Sequence, residues 1–540
     1  METYNESNVS GVTDNITAYL LRSYQAANNR RELWVPTFEE CYEYTLPRRE
    51  SFYQETPGQP RTSKIYDETA VVGVQEFASR LQNGLVPAYT RWARLKSGTE
   101  VPEDKKMEID KQLEIVSNYV FDVIQNSNFA QETHESFLDL TLGTGCLLVN
   151  EGDELNPIRF QAVPLTQMVL DTGHTGEVDK IFRVRRIPVK DILLLYPKAT
   201  PTIMMQQKLE KDPEFKCTII EAVYRNWDEK DETWHYCVIH KEGKEKIWVQ
   251  KYKGIGSNPW VVFRWSKAAG EIYGRGPTWN ALAAIKTCNL TIELILENAQ
   301  MSISGLWQIS DDGTINTDTI NLVPGTVIPV SPGSAGLQPL QSPGKFDVAQ
   351  LVLDDMRHNI KKALYNEMLG KPLSKTPMSA TEVAERQADL ARQIGAAYGR
   401  LQAEFINPVL KRVIYILKKQ GRIELPTING REVRIQTESP LGRQQMMQDV
   451  FTIDQYLGML QQRFGPEMTN LMINGEATAE YLAKKQGIPL ELIRTPEQKE
   501  EVLQRFSEIE QMRQQGQQQQ GAEPVEQTTE PTEQVGQADI

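Results

Sequence analysis

Three groups of residues have types that could do chemistry. His235, Cys237 and His240 lie close together and are side chains of the kind that hold zinc. On a strand, however, His235 and Cys237 share one face and His240 takes the other, which argues against one ion held by all three. His134-Glu135 opens like the zinc-protease pattern with two histidines four apart, but Leu138 stands where the second ligand belongs. A solvent-facing helix pair is the plainer reading. Gly143-Thr144-Gly145 and Gly254-Ile255-Gly256 match neither a phosphate loop nor a dinucleotide fingerprint and read as turns. Carboxylates are plentiful, yet no pair stands out as a candidate acid and base. The chain is therefore read as non-enzymatic, with no catalytic residue, cofactor or metal.

Basic clusters remain as possible phosphate contacts: Arg183, Arg185 and Arg186; Lys241, Lys244, Lys246, Lys251 and Lys253; Lys361 and Lys362; Lys371 and Lys375. The plain reading of each is a solvated face. Lys371 and Lys375 differ because they sit in a loop between two strong helices. Repeated around an axis, such a loop would make a collar of charge.

The elements that must position these groups occupy a chain of 540 residues, more than one hydrophobic core normally supports. Apolar residues at 40% and charged residues at 24% are globular values, and no apolar run is long enough for a membrane helix. Met1-Glu2-Thr3-Tyr4-Asn5-Glu6 has neither the basic nor the apolar region of a secretory signal, so export is not expected. Cys41, Cys146, Cys217, Cys237 and Cys288 show no paired spacing and are expected to be reduced, buried thiols. A net charge of -13 argues against a protein that grips nucleic acid over its whole surface, but not against one that lets DNA slide past.

Apolar periodicity predicts helices over 15–29, 67–85 and 102–126. Runs rich in β-branched and aromatic residues then predict strands at 146–149, 160–164, 181–186, 217–225, 234–241, 246–249 and 260–265, with helices near 189–196 and 202–211. A long helix follows from Pro277 to Ile303, where proline suits the first turn. Leu282, Ile285, Cys288, Ile292, Ile295, Ala299 and Ile303 form one apolar stripe on it, and Leu290, Leu294 and Met301 a second. A helix apolar on two sides needs partners on both. Strands are predicted at 306–310, 319–323 and 326–330, then an irregular return and a helix from Phe346 to Leu369. Ser379 and Glu382 form a capping box, with Met378 and Val383 as its hydrophobic staple. The helix they open runs to Leu417 and should bend at Pro408. A hairpin is predicted from 423–425 and 433–436, turning at Asn429-Gly430. Helices are expected at 444–464, 466–474, 477–486 and 496–514, and a Gln-rich, acidic, disordered tail beyond.

Several of these segments carry a family likeness: Leu81 to Leu95 with Pro87 and Arg91-Trp92; Tyr273-Gly274-Arg275-Gly276-Pro277 leading into the helix that contains Asn289; and Met378-Ser379-Ala380-Thr381-Glu382-Val383. In this order they resemble the portal, or head-to-tail connector, of short-tailed bacteriophages over nearly the whole chain. Ala88 and Ala93 depart from the pattern, standing where similar proteins tend to have a second proline and an aromatic residue.

The resemblance implies a mixed α+β, helix-rich portal fold with wing, stem, clip and crown, assembled as a ring of twelve subunits. Its expected division is wing 1–275, stem helix 276–303, clip 304–345, second stem helix 346–370, tunnel loop 371–378, wing 379–440, crown 441–514 and disordered tail 515–540. It implies a channel at one capsid vertex for genome packaging, retention and ejection. Partners would be the major capsid protein and scaffold, then terminase and tail adaptors, with double-stranded DNA passing without sequence preference and no membrane involved. The protein would be made in the host cytoplasm and reside in the virion. Lys361, Lys362, Lys371 and Lys375 would face the channel or tunnel loop. Leu282, Ile285, Ile292 and Ile295 with Val352, Met356 and Ile360 would pack between subunits, the second stripe lying on a neighbour. Two alternatives are an oligomeric virion scaffold or adaptor that is not a portal, and a metal-dependent nucleic-acid enzyme.

Overall fold

The computed structural model describes residues 10–53, 58, 61–304, 306–309, 337–340, 346–366, 395–425, 433–437, 440–486 and 502. They fall into two compact units, divided between Gln445 and Met446.

The first unit begins with helices α1 (Ser10–Glu32), α2 (Val35–Thr45) and α3 (Thr69–Leu85), strand β1 (Ala93–Ser97), and helices α4 (Glu103–Gln125) and α5 (Phe129–Leu140). Strands β2 (Thr144–Glu151), β3 (Ile158–Ala162), β4 (Met168–Thr172) and β5 (Val178–Pro188) follow, then short helices α6 (Val189–Leu195) and α7 (Ile203–Lys211). Strands β6 (Lys216–Asn226), β7 (Thr233–His240), β8 (Glu245–Lys253) and β9 (Trp260–Arg264) complete the β-rich part. After it come α8 (Pro277–Ser304), β10 (Leu306–Ile309), β11 (Leu337–Leu340), α9 (Phe346–Ala363), α10 (Gly395–Leu401), a π-helical turn at Gln402–Ile406, α11 (Asn407–Lys419) and β12 (Val433–Thr437). Helices α12 (Pro440–Met472) and α13 (Gly475–Gln486) end the described chain, with Gly465 at φ 76° breaking α12 just before Pro466.

The seven predicted strands, joined by the unpredicted β4, form two antiparallel sheets, ordered β3-β2-β9 and β4-β5-β6-β7-β8. The central strands of the larger sheet bury side chains on both faces through their period-2 alternation, while edge strand β8 stays mostly open. Cys217, Ile219 and Val223 point into the main core, while Ile220 and Ala222 face a second cluster with Phe182, Cys237 and Ile239. Helix α1 covers that second cluster with Leu20, Tyr24 and Ala27.

Four expectations are corrected. Val433–Thr437 does not turn back on 423–425, which is not a strand; it pairs antiparallel with Ala93–Ser97, a partner more than three hundred residues upstream. The return after 332 is not wholly irregular, since Leu337–Leu340 pairs with Leu306–Ile309. Helix α9 stops at Ala363 rather than Leu369, because Tyr365 takes φ 58°. The bend at Pro408 appears as the π turn before it, where Asn407 N–H reaches the carbonyl of Gln402. That i→i−5 bond lets the chain accommodate the missing proline N–H. The capping box at Ser379 and Glu382, its staple Met378 and Val383, Lys371, Lys375, the strands at 319–323 and 326–330, the helix at 496–514 and the tail lie outside the described residues.

Candidate assembly surface on the paired helices

Helix α8 starts where two turns touch backbone to backbone. A Cβ on Gly276 would lie 2.0 Å from the carbonyl oxygen of Thr141, and one on Gly274 would lie 2.1 Å from that of Gly143. Glycine is therefore required at both positions. Gly276 N–H donates to Leu142 O at 2.9 Å, Thr278 N–H to Thr141 O at 3.1 Å and Gly274 N–H to Thr144 Oγ1 at 2.9 Å. Tyr273 is buried and its hydroxyl accepts from Leu170 N–H at 3.0 Å. The Tyr273–Pro277 motif is thus a joint between the β-rich core and a helix about 42 Å long.

Further along, α8 and α9 lie side by side and are fastened to the start of α3. Asn289, buried in α8, accepts from the N–H groups of Tyr66 at 2.7 Å and Asp67 at 3.0 Å. The Asp67 carboxylate takes Arg357 of α9 at 2.8 Å and the Thr69 N–H at 2.9 Å. Burial pushes its pKa up, but the bonds from Thr69 and Arg357 outweigh that and hold it below the usual value. Nearby Cys288 is pushed up to about 11, first by burial and then by the Asp67 charge, so it is an inert thiol.

The two apolar stripes of α8 have different fates. Leu282, Ile285 and Cys288 are buried, and Ile292 and Ile295 pack against the same core. On α9 Ile360 is 1% exposed and Met356 is half-buried. Leu282, Ile285 and Ile360 are therefore used by this chain's own core. The second stripe reaches the surface: Leu290 is 56%, Leu294 55% and Met301 47% exposed. At about 100° per residue these three lie in line, roughly opposite the core stripe. Leu351 at 72% and Val352 at 36% leave α9 likewise uncovered. Lys361 and Lys362 are exposed in its last turn, where cations suit the helix dipole.

The other candidates resolve as structure. His235 lies flat on Tyr224, with ring centroids 5.3 Å apart. His240 is fully buried with Thr202 Oγ1 at 3.2 Å, and burial lowers its pKa. No group of three metal-ligating side chains occurs among the described residues. His134 meets Ser79 Oγ at 3.1 Å. Two members of the Arg183 cluster are not solvated: Arg183 is buried, and Arg185 pairs at 2.6 Å with buried Glu221, which also accepts from Tyr236 Oη at 2.7 Å, while Arg186 is exposed as expected. In the Lys241–Lys253 run, Lys253 pairs with Asp231 at 3.0 Å and Lys251 with Glu229. All five cysteines are free and buried. Sequence reasoning missed Asp67 and Arg357, because a contact spanning 290 residues leaves no local signal.

The family model for the bacteriophage head to tail connecting protein matches residues 17–493. A probable portal protein of Bordetella phage BPP-1 is 21% identical over 496 residues, covering 88% of each chain. The portal protein of Salmonella phage epsilon15 is 22% identical over 473 residues, 83% of this chain and 84% of that one. Solved structures of a gene transfer agent neck with C12 symmetry and of a gene transfer agent virion align at TM-scores of 0.34 and 0.33. Their identities are 12% and 13%, covering 77% and 78% of this chain and 91% and 90% of theirs. The chain belongs to the bacteriophage head-to-tail connecting proteins, the portal family. That membership favours the portal reading over the scaffold and nuclease alternatives. No helix among the described residues is long and apolar enough to cross a membrane.

Proposed function

We propose that copies of this chain close into a ring, twelve by the family resemblance, through which double-stranded DNA enters and later leaves the capsid. The observation that carries this is the exposed pair Leu290 and Leu294 on a helix whose opposite side is already core. Each such side chain, fully buried, is worth about 1.5–3 kcal/mol, and a neighbouring copy repeated by symmetry would supply the cover. In this reading α8 and α9 are the stem, 304–345 the clip that meets terminase and then tail adaptors, 371–378 the tunnel loop, and the helices after 440 the crown. The strand pair β10–β11 fits a clip completed by neighbours, since two short strands alone are marginal.

The acidic balance suits a channel, because a strongly basic lumen would hold phosphates and stall the DNA. Sparse lysines, Lys361 and Lys362 with Lys371 and Lys375, would touch the backbone without reading sequence. Electron microscopy of the purified chain, with its mass in solution, tests the ring: closed rings with a central hole are expected, and a monomer would refute it. Lys371→Ala with Lys375→Ala should leave rings intact and change packaging or retention; unchanged genome content per particle would remove those lysines from the role.

A further inference from the structure

Helix α9 ends in a conformation its own sequence does not favour. From Leu364 to Leu369 the chain contains neither glycine nor proline, yet Tyr365 has φ 58°, one of two non-glycine residues with positive φ among those described. For such a residue the left-handed form is roughly 5- to 30-fold less populated than the right-handed one. The ending is a complete reversed cap: Tyr365 N–H donates to Lys362 O at 3.1 Å and Asn366 N–H to Lys361 O at 2.8 Å. That pattern normally has glycine at the left-handed position.

What holds the turn is α3. Leu364 is fully buried, and a Cβ on Gly73 of α3 would lie 2.7 Å from its Cδ1 and 2.9 Å from Asn366 Nδ2. Asn366 Nδ2 donates to Gly73 O at 3.0 Å, and Arg80 Nη1 donates to Asn366 O at 2.6 Å. The Tyr365 ring rests against Phe77 and Trp265, at centroid distances of 6.3 and 5.7 Å. Continuing the helix would reverse the backbone at Tyr365 and carry its ring and Asn366 away from these partners. Docking on α3 and continuation of α9 therefore exclude one another.

We propose that residues 364–366 are a two-state stop whose setting α3 selects: docked, with Tyr365 left-handed, or released, with Tyr365 returned to the helix. The stop lies five residues before Lys371 in the sequence. The device lies in α3 and α9 of one chain and does not depend on the ring.

The test is a side-chain-resolution density map of full-length Asn366→Ala beside the unaltered protein, with Gly73→Ala as a second variant that wedges the same contact. The expected result is Tyr365 moving from φ 58° to about −63°, its ring leaving Phe77 and Trp265. Tyr365 remaining left-handed in Asn366→Ala would overturn the proposal. So would loss of density for 364–366, which would show docking to restrain a chain with no second ordered state. If Gly73→Ala fails to fold, the Asn366→Ala map alone decides.

Discussion

The five-stranded sheet and the α8–α9 pair are built from equally apolar sequence but stand in opposite conditions. The sheet is closed over most of its area, by the main core on one face and by α1 on the other, though Val249 on its edge strand is 45% exposed, and even its charged Glu221 has Arg185 and Tyr236 for company. The helix pair is closed on one side only, with Leu290, Leu294 and Leu351 each more than half exposed. The difference teaches that apolar content alone does not mark a core. What matters is whether the same chain supplies a cover, and for α8 it supplies only half.

Substitutions should separate the two conditions by their effect on one chain's stability. The largest effect is expected at the joint between them. Gly276→Val places a side chain where Thr141 O already lies 2.0 Å from a Cβ, and should cost more than about 4 kcal/mol, read by denaturant unfolding. Next is Arg264→Ala, which strands the Glu404 carboxylate now bound by the Arg264 guanidinium at 2.7 and 3.0 Å. Breaking such a part-buried pair should cost somewhat less than the roughly 3 kcal/mol of a fully buried one.

A smaller effect is expected at Asp67, the bolt between α3 and α9. Its folded pKa lies below the ordinary aspartate value of 3.8, so its contribution is fully present above that value and is lost as the pH falls through the lower folded one. Asp67→Asn should lower the melting midpoint near neutral pH and flatten its decline in the acid range below 3.8; an unchanged acid limb would show that Asp67 is not the group responsible. The smallest effect on the single chain belongs to Leu290→Glu with Leu294→Glu. Stability should change by less than about 0.5 kcal/mol per site, while ring formation, read by mass in solution, is lost. Equal losses of stability and assembly would show that this stripe belongs to the chain's own core.

Legibility followed sequence separation. The seven strands read from β-branched runs, from 146–149 to 260–265, are all present, and so are the helices at 189–196 and 202–211, because alternation and capping are local. Thr202 caps its helix by accepting from Met205 N–H at 3.3 Å. Strands Ala93–Ser97 and Met168–Thr172 and helix Val35–Thr45 were not legible. Ala93–Ser97 carries Arg94 and Lys96 and becomes a strand only by pairing with Val433–Thr437. The two stripes of α8 were visible, but which one faces the core was not, since both satisfy the helical period equally.

By itself the sequence determined most of the elements, the family and the presence of a helix too apolar for a single partner, because side-chain period, glycine and proline act within a few residues. Only the tertiary structure decided the rest. It placed Val433–Thr437 on Ala93–Ser97, made Asp67 the fastening for Arg357, assigned the Leu282 stripe to the interior and stopped α9 at Ala363. Each of those outcomes depends on atoms brought together from distant positions, and at Tyr365 the packing against α3 overrides a local preference of only a few kilocalories.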